Sequence, residues 1–128
     1  MKLLLDTHIW IWLLHSPERL GPRAHQALAA MENELWVSPV STWEALMLHR
    51  KKRVQLSSDF LGWLGQGTPG FQSAPFTNEI VLAAEQLQLH ADPADRFLAA
   101  TAQVLDMILV TADEKLLGLG NIKTLANR

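Results

Sequence analysis

Short apolar runs alternate along this chain with longer stretches in which apolar residues recur every few positions. A short apolar run closed by polar or turn residues reads as a buried strand; recurrence at helical spacing reads as one face of a helix. Strands are therefore predicted at Lys2–Leu5, Leu35–Val37 and Ile108–Val110, with a proline-bounded one at Gly70–Phe76 and a final edge strand at Ile122–Leu125. Helices are predicted over His8–Leu14, from Gly21-Pro22 to about Glu32, from Ser41 to about Arg53, and over Leu56–Leu64, Thr77–Leu89 and Pro93–Asp106. Their inward residues are read as Ala24, Ala27, Leu28 and Met31 in the second, and Trp43, Leu46 and Met47 in the third. In the last two they are Ile80, Val81, Ala84 and Leu87, then Phe97, Leu98, Thr101, Val104 and Leu105. Strands alternating with helices imply an α/β fold, a mostly parallel sheet of four or five strands covered on both faces. Ligands of such sheets bind beyond the carboxyl ends of the strands, which says where to look for chemistry.

Composition narrows the classes. With 128 residues, 48% of them apolar, the chain suits a single domain over 1–128 with a real core. It has no Cys, which excludes a disulfide scaffold, a thiolate zinc site, an iron–sulfur cluster and a thiol nucleophile. Asp6 interrupts the first apolar run after three leucines, so no secretory signal is expected, and no window approaches a membrane span. A soluble, cytoplasmic protein is expected. Eleven Lys+Arg against 13 Asp+Glu leave a formal charge of −2, which argues against a surface that binds nucleic acid by bulk charge. A local patch is still allowed. Arg50-Lys51-Lys52-Arg53 is the only basic run; it reads either as a solvated helix end or as an RNA phosphate contact.

Four acids fall at telling places. Asp6 follows the first strand, Asp113 follows Ile108–Val110, and Glu44 and Asp95 sit in the first turns of their predicted helices. In a parallel sheet Asp6, Glu44 and Asp113 emerge at one edge. Alternation alone puts the start of the Asp95 helix at the opposite end of the strand it feeds, so topology leaves Asp95 unplaced. Helix capping accounts for each acid singly: Asp6 as a cap, Ser41–Glu44 and Thr111–Glu114 as capping boxes, and Asp92-Pro93-Ala94-Asp95 as a helix start. Capping does not require several anions together, however. Two carboxylates ~4 Å apart repel by roughly 1 kcal/mol in water and ~4 kcal/mol near a protein surface. A cluster therefore calls for a cation, and oxygen ligands without Cys or a His cluster favour Mg²⁺ or Mn²⁺ over zinc.

The segments around these acids look familiar. Leu3-Leu4-Leu5-Asp6-Thr7-His8, Ser38-Pro39-Val40-Ser41-Thr42-Trp43-Glu44, His90 to Ala102 with Asp92-Pro93-Ala94-Asp95 inside it, and Val110-Thr111-Ala112-Asp113 resemble, in order and spacing, the four acidic motifs of PIN-domain ribonucleases. Length and order match the VapC-type toxins of bacterial toxin–antitoxin pairs. The resemblance implies a three-layer α/β/α sandwich and Mg²⁺- or Mn²⁺-dependent endonucleolytic cleavage of RNA that inhibits translation. It implies a catalytic and metal-binding role for Asp6, Glu44, Asp95 and Asp113, support from the Thr111 hydroxyl, a homodimer, and a cognate antitoxin. It also settles the placement of Asp95. Asp92 is retained as a cap.

Other features read more plainly. Trp36 and Trp43 sit at expected core positions; Trp10 and Trp12 are two apart and cannot share a helix face, so one of them or Trp63 is expected at the surface. The five histidines lack ligand spacing, with His8 alone a candidate for a supporting role beside the acids. Leu56–Pro75 carries no motif. A phospho-acceptor domain would want adjacent acids after the first strand, and a haloacid-dehalogenase-type phosphatase would want Asp-x-Asp where Asp6-Thr7-His8 stands. No Gly-x-Gly-x-x-Gly follows a strand, which disfavours dinucleotide binding. A binding module that kept the fold without catalysis is the remaining alternative.

Overall fold

The computed structural model describes residues 1–88 and 92–128. Five strands, β1 (Lys2–Leu5), β2 (Glu34–Val37), β3 (Gln72–Ser73), β4 (Ile108–Thr111) and β5 (Lys123–Ala126), form one sheet in the order β3-β2-β1-β4-β5. Every pairing is parallel, with Leu4 of β1 opposite Trp36 of β2 on one side and Leu109 of β4 on the other. The helices are α1 (Thr7–His15), α2 (Pro22–Ala29), α3 (Pro39–Arg50), α4 (Ser58–Trp63), α5 (Asn78–Glu85), α6 (Pro93–Val104) and α7 (Glu114–Leu117).

Side chains alternate across a strand, so Leu3 and Leu5 serve one face and Leu4 the other. Leu3 and Leu5 pack with Ile9, Trp10, Leu28, Ala45 and Phe60 from α1 to α4. Leu4 and Leu109 pack with Ile80, Leu98 and Leu116 from α5 to α7. The expected α/β/α sandwich follows directly: β1 is central, and all three of its leucines are fully buried. Among the described residues no helix is long and apolar enough to cross a membrane.

Several expectations need correction. Helix α3 starts at Pro39, not Ser41, because Ser38 is its cap, its side chain accepting from the Val40 N–H, and Pro39 suits the first helical position. Ser41 is thus inside the helix and is not part of a capping box. Trp43 and Leu46 are not core: they are 57% and 42% exposed. The face α3 buries is Val40, Ser41, Glu44, Ala45 and Leu48, and Trp43 points away from it. Met31 is exposed because α2 ends at Ala29, and Val81 is exposed on α5. Strand β3 shrinks to Gln72–Ser73, since Pro75 cannot donate to a ladder. Lys51, Lys52 and Arg53 fall beyond α3 in a turn, with Lys52 left-handed at φ 59°. The expected helix over Thr77–Leu89 ends at Glu85; Leu89, His90 and Ala91 lie outside the described residues.

Candidate active site

All strands point one way, so their carboxyl ends share an edge, and the site is built there. Asp6 caps α1: its Oδ1 accepts from the Thr7 N–H at 2.8 Å, and its Oδ2 accepts from the Thr111 hydroxyl at 2.7 Å. The Thr111 oxygen in turn accepts from the Asp113 N–H at 3.0 Å. One hydroxyl at the end of β4 thereby ties the carboxylate after β1 to the loop carrying Asp113. Asp113 is itself the cap of α7, accepting from the Lys115 N–H, so Thr111 ends a strand and does not open a capping box. Asp92 caps α6 and accepts from the Asp95 N–H at 3.1 Å. Glu44 projects from the buried face of α3. Beside it the Thr7 hydroxyl donates to Ser41 Oγ at 2.9 Å.

A cleft of about 410 Å³ collects Asp6, Glu44, Asp95 and Asp113, with Asp92 beside them and His8 and Trp12 along one wall. Asp95, which simple alternation leaves apart, lies at this edge as well. A helix feeding a parallel strand ends near that strand's start, so it begins at the carboxyl edge. Helix α6 does so, and Asp95 comes to the same edge as Asp113.

The electrostatics are those of crowded anions. Burial raises the pKa of Asp6, and repulsion from Asp113 adds to it; the bonds from Thr111 and Thr7 and the charge of His8 oppose it. Burial likewise raises Glu44, with repulsion from Asp6 and Asp92 behind it. Asp95 is pushed up to about 7, first by burial and then by Asp6, Asp92, Asp113 and Glu44 in turn. It makes no side-chain hydrogen bond among the described residues, so no hydrogen bond offsets that repulsion.

Hard carboxylate oxygens with no thiolate suit Mg²⁺ or Mn²⁺ and not zinc. Among the described residues no three acidic or histidine side chains converge tightly enough to enclose one ion directly. The cleft therefore fits a cation that keeps part of its water shell, as Mg²⁺ does. The basic run is not brought here. Arg50, Lys52 and Arg53 line a separate concavity with His49 and Gln55, while α3 begins at the acidic edge and runs away from it. The Thr7–Ser41 bond joins residues 34 positions apart and has no signal in local spacing. Trp12 was findable, lying one helical turn past His8, its ring 5.7 Å from that imidazole.

A five-stranded parallel sheet with an acidic cleft at its carboxyl edge places the molecule among α/β nuclease-like domains. The PIN domain profile matches residues 3–121, and the chain belongs to the PIN-domain family. It is 35% identical over 115 residues to Ribonuclease VapC22 of Mycobacterium tuberculosis, covering 88% of each chain. In structure it is similar to VapBC2 from Rickettsia felis bound to a promoter DNA fragment, with TM-score 0.71, 16% identity and 98% of both chains covered. It is also similar to a toxin–antitoxin complex from Klebsiella pneumoniae, with TM-score 0.71, 20% identity and the same coverage.

Proposed function

We propose that this protein is a divalent-metal-dependent endoribonuclease, the toxin of a toxin–antitoxin pair that inhibits translation in the cytoplasm. The observation that carries the reading is the cleft itself: Asp6, Glu44, Asp95 and Asp113 gather from four separate segments, and among the described residues no Lys or Arg pairs with any of them. A fold does not keep such repulsion for capping alone. The identity to a ribonuclease over most of the chain supports the same conclusion.

Asp6, Asp95 and Asp113, with Glu44, would hold Mg²⁺ or Mn²⁺. Such an ion activates water and offsets charge on a phosphoryl group. Thr111 keeps the Asp6 carboxylate oriented through the bond to Oδ2, and the Thr7 N–H fixes its other oxygen. Glu44 orients the attacking water, and hydrolysis leaves a 5′-phosphate. Arg50, Lys51, Lys52 and Arg53 contact RNA phosphates at a distance from the cut. The exposed apolar residues Trp43, Leu46, Phe76 and Leu82 support a homodimer, and the likeness to toxin–antitoxin complexes supports an antitoxin partner. Antitoxin-free protein incubated with end-labelled RNA should cut it in Mg²⁺ or Mn²⁺ but not in EDTA, leaving 5′-phosphate ends. A lack of metal-dependent cutting would favour a non-catalytic binding module.

A further inference from the structure

A cationic device borders the acidic cleft and is unused by the acid chemistry. Trp12 forms part of the cleft wall, because side chains on a helix lean back toward its start and bring the ring up beside Asp6. Over that ring lies the guanidinium of Arg19, its central carbon 4.7 Å from the ring centroid. Arg19 ends the short turn Pro17–Arg19 and is exposed. Among the described residues its guanidinium has no carboxylate partner; the ion pairs there are Lys123–Asp106 and Arg128–Glu114.

Its backbone is also held at the carboxyl edge. Asn127, just past β5, donates from Nδ2 to the Arg19 carbonyl at 3.0 Å and accepts at Oδ1 from the Gly21 N–H at 2.8 Å. The Asn127 N–H donates to the Thr111 carbonyl at 3.0 Å, next to the hydroxyl that orients Asp6. The main chain of Arg19 is thus fixed relative to the acids, and its side chain rests on Trp12. A long side chain ordinarily loses rotamer freedom on binding. Here stacking on the tryptophan face offsets part of that loss, and the planar fork suits a phosphate. Arg19 forms no ion pair with the acids of the cleft, so its guanidinium is left for another anion.

We propose that Arg19, seated on Trp12 and anchored by Asn127, is a phosphate clamp that grips the RNA backbone beside the scissile phosphodiester. The proposal rests on the ribonuclease reading, and the clamp binds substrate without taking part in bond cleavage. It differs from the basic run at the far end of α3 in reaching the cleft wall.

The test is the salt dependence of RNA binding, followed by fluorescence anisotropy in EDTA with a short labelled mixed-sequence single-stranded oligoribonucleotide. Arg19→Gln should flatten the slope of log K against log salt by about 0.7, the amount for one phosphate contact on a single strand. Affinity at low salt should fall roughly tenfold. Cleavage in Mg²⁺ should show a raised KM with kcat within about twofold of wild type. Arg19→Lys should restore the slope but only part of the affinity, because the ammonium lacks the fork and stacks less well. Trp12→Leu should weaken binding in the wild-type background and add little to Arg19→Gln. Unchanged slope and KM in Arg19→Gln, with wild type cutting RNA normally, would overturn the clamp alone. Wild type that neither binds nor cuts RNA would overturn the ribonuclease reading and the clamp with it.

Discussion

Neutralising Asp95 should stabilise the metal-free protein. Burial and four neighbouring acids raise its pKa from 3.8 to about 7. At about 1.4 kcal/mol per pH unit this sets a ceiling of about 4 kcal/mol on the penalty for ionising it in the folded state. Asp95 is partly open to solvent, which screens the repulsion, and an anion in the first turn of α6 regains about 0.3–1 kcal/mol from the helix dipole. The expected net gain for Asp95→Asn is therefore about 1–2 kcal/mol at neutral pH, or about 3–8 °C in Tm for a domain of this size. The side chain makes no hydrogen bond among the described residues, so the substitution removes charge without orphaning a partner. The sign with pH follows from proton binding. Between pH 3.8 and about 7 the folded state holds more protons than the unfolded state, so stability falls as pH rises through that window. Melts in EDTA should show Asp95→Asn level with wild type near pH 4 and above it at pH 7.5. A variant equal to or below wild type at both pH values would refute the electrostatic account of the cleft.

Three further outcomes follow from particular contacts. Thr111→Val should cost about 1–3 kcal/mol, because it leaves a buried oxygen of Asp6 without its donor, and should slow RNA cleavage; Thr111→Ser should restore most of both, as melts and rate assays can show. Gly21→Ala should lower Tm measurably, since a Cβ there would overlap the backbone of Arg128, which accepts from the Arg23 and Ala24 N–H groups. Leu4→Ala should cost about 2–5 kcal/mol in denaturant unfolding, as Leu4 is fully buried at the centre of the sheet.

What the sequence revealed depended on how local the cause was. The leucine run of β1 and the apolar run of β4 announce buried parallel strands because both their faces are covered, and the periodicity of Pro93–Asp106 announces α6. The acids were legible one by one as caps, which four of the site's five carboxyl-bearing residues do provide or touch: Asp6, Asp92 and Asp113 cap helices, and Asp95 donates its N–H to one cap. Their convergence was not local. Alternation leaves Asp95 unplaced because it sets the start of its helix at the far end of the strand it feeds; the motif resemblance puts it with the other acids, and the direction of α6 brings it to their edge. The apolar spacing of Trp43, Leu46 and Met47 points to the wrong face of α3, which turns its smaller residues and Glu44 inward instead. The Thr7–Ser41 bond and the Asn127 anchor join residues 34 and more than 100 positions apart, beyond the reach of any spacing rule.

The central claim is that the acidic cleft cuts RNA with a divalent cation. Its most direct test is the rate of cleavage of labelled RNA against Mg²⁺ concentration, for wild type and Asp6→Asn side by side. The account predicts a rate that rises with Mg²⁺ and saturates for wild type, vanishes in EDTA, and falls by at least about a hundredfold in Asp6→Asn. Equal rates for the two proteins, or cutting that persists in EDTA, would contradict it.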